Sequence, residues 1–185
     1  CSVRNRMGLA CGVIGSNGAA YAGKHVGTSN TTPESYELMR AFSEMLDAGM
    51  QCVVMEVSSQ ALFTHRVDGI RFSLAIFTNL SPDHIGPGEH RDFAHYKACK
   101  KKLFSLCDNA LMNADDPAWR EMSEDLSVDV QTFALSHPAD HTAHSVCPIL
   151  EEGRAGMGFV YRDIPYTVQL PGTFNVSNAL CALAA

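Results

Sequence analysis

Short apolar runs alternate with longer amphipathic stretches along the first two-thirds of the chain. GLACGVIGS (8–16), MQCVVMEVSS (50–59), RFSLAIFTNL (71–80) and NALMNADDP (109–117) each carry the continuous apolar stretch of a buried strand. Between the first two lies TTPESYELMRAFSEMLDAG, in which Leu38, Met39, Phe42, Met45 and Leu46 recur at helical spacing. Thr32 is its candidate N-cap, Pro33 fits the first helical position, and Gly49 marks the stop. DFAHYKACKKKLFSLC predicts a second helix, with an apolar stripe through Phe93, Tyr96, Leu103 and Phe104, and DPAWREMSEDL a third. NGAAYAGKHVGTSN is glycine-rich and reads as a hairpin or a connection.

Strands alternating with helices imply an α/β fold, a mostly parallel sheet flanked by helices. From about residue 128 the texture changes. VDVQTFAL, GMGFVYRD and IPYTVQL alternate with a period of two and are rich in β-branched residues, which predicts a small antiparallel β subdomain. TFNVSNALCALAA then begins a helix. The expected division is an α/β core over 1–127, the β subdomain over 128–171 and a returning helix over 172–185.

Composition narrows the range of partners. The 185 residues are 46% hydrophobic with a formal net charge of −6, enough to build a real core and too acidic for a nucleic-acid surface. No apolar run approaches the ~20 residues of a membrane span, and the N-terminus lacks the apolar core of a secretion signal. Seven cysteines, an odd number without a C-x-x-C pair, read as reduced thiols of a cytoplasmic protein.

Candidate chemistry gathers where the apolar runs end. In a parallel sheet, ligands bind at the carboxyl ends of the strands. The runs end there in Glu56, Ser58 and Ser59, in Thr78, Asn79, Asp83 and His84, and in Asn113, Asp115 and Asp116. Glu56 suits a metal or phosphate site, and the plainer reading is a carboxylate returning to water. Asp83 and His84 suit Mg²⁺ and phosphoryl-transfer chemistry, and the plainer reading is a Pro-Asp turn. GAAYAGKH nearly matches a phosphate loop, but His25 stands where the metal-binding hydroxyl belongs and no helix follows, so it is rejected. His137, Asp140, His141 and His144 lie close in sequence, but nothing pairs with them as a second half of a zinc site, and a solvated loop is the simpler reading. The lysines of KACKKK are by default the wet face of a helix.

Taken in order, NTTP (30–33), VMEVSSQAL (54–62), HRVDGIRF (65–72), FTNLSPDHIG (77–86), YKACKKKLF (96–104), NADD (113–116) and GTFNVSNALCALAA (172–185) resemble the central, ATP-binding domain of the Mur ligases. The likeness is greatest to the branch that extends UDP-MurNAc-dipeptide in peptidoglycan synthesis. It implies a P-loop NTPase-like central domain and an ATP-dependent, amide-forming ligase of the bacterial cytoplasm that acts through an acyl phosphate. Its substrates would be a UDP-MurNAc-peptide and an amino acid, lysine or meso-diaminopimelate.

The resemblance also implies roles for single residues. Glu56 and His84 would ligate a pair of Mg²⁺ ions, and Lys100 would be carbamylated by CO₂ to give a further anionic ligand, the three serving catalysis together. Asn30, Thr31, Thr32, Ser58 and Arg66 would contact the UDP-muramoyl peptide, and Asn178 the nucleotide. The sequence departs from the family in two ways. The family's phosphate loop, G-T-x-G-K-[ST], is not found, so the chain is expected to start within the helix that follows it, without the UDP-binding and C-terminal domains, and to be inactive alone. DHIGPGEH also replaces the commoner DHLDYHG, which predicts a different loop after His84. Two alternatives stay open: a related ligase of cyanophycin-synthetase or folylpolyglutamate-synthase type, and a non-catalytic binding module.

Overall fold

The structure, a computed structural model, describes residue 5, residues 8–151 and residues 153–185. The expected start within a helix falls on residues 1–7 and lies outside the described residues, Asn5 and the turn at Gly8 excepted. The chain divides into two compact units, one formed by residues 1–70 with 82–103, the other by residues 71–81 with 104–185.

The first unit is built on a four-stranded mixed sheet. Strand β1 (Cys11–Gly15) pairs antiparallel with β2 (Gly18–Tyr21), which pairs antiparallel with β3 (Lys24–Val26). The glycine-rich stretch is thus a hairpin, as one of its two sequence readings held. On its other edge β1 pairs parallel with β4 (Cys52–Met55), matching Ile14 to Met55. Helix α1 (Ser35–Asp47) makes the crossover, burying Leu38 and Met45. Gly49, at φ 76°, ends it in the left-handed conformation that glycine adopts most cheaply. The sequence placed the N-cap at Thr32. The residue in that position is Glu34, whose side chain makes no capping bond; Thr32 is fully buried and its hydroxyl is bonded to Glu56 O and Ser58 N instead.

Among the described residues, two more helices complete this unit after α1. The short α2 (Ser59–Phe63) is capped by Ser58, whose Oγ accepts the Ala61 N–H at 3.1 Å. Helix α3 (Phe93–Lys101) is capped by Asp92, whose carboxylate accepts the His95 N–H at 2.7 Å, and it runs on into a 3₁₀ turn (Lys102–Ser105).

The second unit holds two sheets. Strands β5 (Ala75–Phe77), β6 (Asn109–Asn113), β7 (Asp129–Ala134) and β8 (His141–Thr142) lie in sequence order and pair parallel throughout. Strands β9 (His144–Glu151), β10 (Arg154–Tyr161) and β11 (Ile164–Val168) form the antiparallel sheet. The sequence assigned VDVQTFAL to that antiparallel sheet. Instead it continues the parallel one as β7, because period-two alternation reports which faces are covered and not which partner a strand takes. Helix α4 (Trp119–Ser123) links β6 to β7. Helix α5 (Thr173–Ala184) buries Val176, Leu180 and Cys181 in a core shared with Phe133, Phe159 and Tyr161.

Candidate functional site

Glu56 follows β4 directly, and its position is set by the ladder. Its N–H donates to Ile14 O at 2.9 Å, which carries the parallel register one residue past the strand. That brings its side chain over Gly15. A Cβ on residue 15 would lie 2.8 Å from Glu56 Cδ and 2.9 Å from Oε1, so only glycine leaves room for the carboxylate. Ser16 then clasps it, donating to Oε2 from its N–H at 3.1 Å and from Oγ at 2.8 Å. The Ser16 hydroxyl proton is thereby used, so the 3.1 Å contact between Ser16 Oγ and Thr31 Oγ1 runs from Thr31 as donor. A relay of hydroxyls therefore ends on an exposed carboxylate.

Thr32 locks the turn behind Glu56. Its hydroxyl donates to Glu56 O at 2.9 Å and accepts the Ser58 N–H at 2.9 Å. Arg66 closes the other side, donating to Thr32 O at 3.2 Å and pairing with Glu34 at 3.1 Å. Glu34 also receives the Asn30 side-chain amide at 3.4 Å. Of the residues expected at the peptide substrate, Asn30, Thr32, Ser58 and Arg66 thus form one bonded cluster, and Thr31 joins it through Ser16.

His84 and Lys100 meet at a different feature, the ring of Tyr96. The His84 ring lies 6.0 Å from it, centroid to centroid, and Lys100 Nζ sits 5.3 Å from its centroid. His84 has φ 55°, a left-handed backbone that costs a non-glycine residue about 1–2 kcal/mol. The surrounding loop holds it there: His84 N donates to Asp83 Oδ1 at 2.8 Å, and His90 N donates to His84 O at 3.0 Å. Its imidazole faces Glu89 Oε1 at 3.4 Å. This short closed loop, with Gly86 N bonded back to His90 O, is the form that DHIGPGEH takes. His90 is fully buried against Ser59 Oγ at 2.9 Å, and burial, with the nearby His95 and His84 charges, keeps its imidazole below its ordinary pKa. The Glu56 cluster and the Tyr96 group belong to the same compact unit.

Asn178 belongs to the second unit, where it lines a cavity of about 560 Å³ with Thr78, Asn79, Asn113, Asp115 and His137. The polar ends of β5 and β6 therefore do meet in a cavity, but its carboxylate, Asp115, is spent on structure. Asp115 accepts the Leu135 N–H at 2.6 Å, the Ser136 N–H at 3.0 Å and the His137 ring at 2.8 Å. Burial pushes its carboxyl pKa up, and these donors outweigh that and hold it below the ordinary value. Asp116 likewise accepts the Leu80 and Ala118 N–H groups, each at 2.8 Å. His141 is buried between Tyr161 OH and Gln131 Oε1, at 2.7 and 2.9 Å, and is no part of a solvated loop.

Sequence reasoning missed Gly15, Ser16 and Tyr96. Tyr96 was read as core, which its burial supports, but its ring also carries two candidate side chains. Gly15 and Ser16 had no local signal, because their partner lies some 40 positions away.

Carboxylate oxygens are the ligands Mg²⁺ takes, and the Glu56 carboxylate, clasped by Ser16, is exposed. The Glu56 carboxylate therefore fits that ion.

The sequence profile of the Mur ligase middle domain matches residues 2–185. The UDP-N-acetylmuramoyl-L-alanyl-D-glutamate–2,6-diaminopimelate ligase of Clostridium perfringens is 33% identical over 190 residues, covering all of this chain and 39% of that protein. The ligase of the same name from Geobacter metallireducens is 35% identical over 193 residues, covering all of the chain and 37% of its own length. A solved structure of a diaminopimelate ligase of this name superposes with a TM-score of 0.81 at 24% identity, over 99% of this chain and 38% of that one. The MurC structure from Thermotoga maritima gives a TM-score of 0.58 at 14% identity, over 98% of this chain and 36% of that one. The chain thus spans under two-fifths of the length of the relatives it matches.

Proposed function

Because the chain belongs to the Mur ligases, through their middle domain, we propose that the intact protein is an ATP-dependent ligase that joins an amino acid to UDP-MurNAc-dipeptide in peptidoglycan synthesis. The observation that carries this reading is the clasped, exposed carboxylate of Glu56, held over Gly15 by Ser16 within one bonded cluster with Thr31, Thr32 and Arg66.

In the proposed reaction the terminal carboxylate of the peptide attacks the γ-phosphorus of ATP, forming an acyl phosphate and releasing ADP. The amine of the incoming amino acid then attacks the acyl carbon. Phosphate leaves, the amine gives up a proton, and an amide remains. Negative charge builds on the transferring phosphoryl group, and Mg²⁺ held by Glu56 and His84 would neutralise it. Ser16, itself bonded to Thr31, holds the carboxylate, and Thr32 holds the backbone carbonyl behind it, so little rotamer freedom is lost when the ion binds. Arg66 and Asn30 lie beside the same turn and would receive the peptide.

Lys100 is proposed to carry a carbamate: its neutral amine adds to CO₂ and loses a proton, replacing a cation by an anion. The Nζ now lies over the Tyr96 ring in a cation–π contact. Carbamylation would end that attraction and free the side chain to turn toward the metal. Asn178, in the second unit's cavity, is proposed to contact the nucleotide. The relatives' names supply 2,6-diaminopimelate as the amino acid to try first. ATP and UDP-linked substrates place the reaction in the cytoplasm.

The test is phosphate release by the intact protein with ATP, Mg²⁺, UDP-MurNAc-L-Ala-D-Glu and diaminopimelate, with omission of each in turn. Release that needs all four, with an amide product of the summed mass less water, supports the reading. No release with diaminopimelate or lysine contradicts it.

A further inference from the structure

A second group of ligating side chains stands on α3 and the loop before it, apart from Glu56. His90, His95 and Cys99 present one nitrogen or sulfur each, all within 4.8 Å of one another, and among the described residues this is the one such group. His95 and Cys99 are four apart on the helix and so share a face. His90 and Cys99 are 0 and 1% exposed. The Nδ1 atoms of His90 and His95 are buried without a hydrogen-bond partner among the described residues. Two orphaned imidazole nitrogens beside a buried thiol call for explanation, since a buried polar atom left unpaired costs about 1–3 kcal/mol.

We propose that His90, His95 and Cys99 bind a thiophilic divalent cation, zinc by the chemistry of its donors, with water completing the coordination. Two imidazoles and a thiolate suit Zn²⁺ and exclude Mg²⁺, which takes oxygen ligands. The site has the supporting contact that metal-bound histidines usually show. His90 Nε2 meets Ser59 Oγ at 2.9 Å, which leaves the unpartnered Nδ1 as its ligating atom. The Phe63 ring packs on both imidazoles, 5.9 Å from His90 and 5.0 Å from His95, and shields them from water. Burial lowers the His90 pKa, which favours the neutral form that ligates. It also raises the Cys99 pKa, so zinc binding displaces the thiol proton, which passes to solvent. Ligand atoms around tetrahedral zinc lie roughly 3.3–3.8 Å apart, so the side chains close by about 1 Å on binding. The ion would tie α3 to the loop that ends at His90, and so hold Tyr96 between His84 and Lys100.

The test is Co²⁺ titration of the intact protein, stripped with a chelator and kept in excess Mg²⁺. One equivalent is expected to produce a thiolate-to-cobalt charge-transfer band in the near ultraviolet, which Zn²⁺ then abolishes by displacement. The band is expected to vanish in Cys99→Ala, and affinity to fall about 10- to 100-fold in Ser59→Ala. Zn²⁺ should raise the melting temperature of the wild type and leave that of Cys99→Ala unchanged. No band in the wild type at excess Co²⁺ overturns the proposal without recourse to any variant, and so does a band that survives in Cys99→Ala.

Discussion

Gly15 and Glu56 fit together as gap and occupant: the Glu56 carboxylate carbon lies only 2.8 Å from where a β-carbon on residue 15 would be. Gly15→Ala should therefore either push Glu56 off Ser16 or strain β1. The expected cost is about 1–3 kcal/mol in denaturant unfolding, with ligase activity falling as Glu56 is displaced. In a Glu56→Ala background the same change should cost much less, since the collision is gone. Equal costs in the two backgrounds would mean that the contact does not matter.

Thr32 serves Glu56 and Ser58 with a single hydroxyl while fully buried. Thr32→Val keeps the shape and leaves a carbonyl and an N–H unpaired, which should cost about 1–3 kcal/mol, whereas Thr32→Ser should cost less than 1. Urea titration of both variants measures the difference.

His141 makes stability depend on pH. Gln131 Oε1 can only accept, so Nε2 carries the proton and Nδ1 accepts from Tyr161 O–H, an arrangement complete in the neutral ring. Burial lowers its pKa below the ordinary 6.5, the nearby Arg162 charge adds to this, and Asp140 opposes it. Below 6.5 the unfolded chain takes up the proton before the folded one does. The stabilisation is thus full above pH 6.5 and is lost as the pH falls toward the folded value, with a slope approaching about 1.4 kcal/mol per pH unit. His141→Gln should flatten that part of the profile in unfolding measured from pH 7 to 5.

Lys100 is to be tested by its modification. Under ¹³CO₂ the intact protein should show a carbamate carbonyl signal in the carbon NMR spectrum, absent from Lys100→Arg, which should also lose activity on the order of 100-fold or more. An unchanged spectrum in the variant would assign the carbamate to another amine.

Local patterns carried much of the fold. Leu38 and Met45 at helical spacing predicted α1, and the glycines around Tyr21 allowed the β2–β3 hairpin as one of two readings. What failed depended on distant partners. Thr32 looks like an N-cap until Glu56 and Ser58, more than 20 residues on, claim its hydroxyl. β7 alternates like an antiparallel strand, yet its partner is β6. Asp115 and Asp116 sit at a strand end like site residues and instead pin loops, because backbone N–H groups from Leu80 and Leu135 reach them first. In the candidate site, Glu56 announced itself as a charge closing an apolar run. The glycine that makes room for it and the serine that holds it were invisible, since nothing local distinguishes one glycine or serine from another.

The most direct measurement is the Mg²⁺ dependence of phosphate release by the intact protein and by Glu56→Gln, which keeps the side chain's size and removes its charge. The account predicts that the variant loses about 100- to 1,000-fold in kcat and needs far more Mg²⁺ for half-maximal rate. Wild-type rates and Mg²⁺ dependence in Glu56→Gln would contradict it.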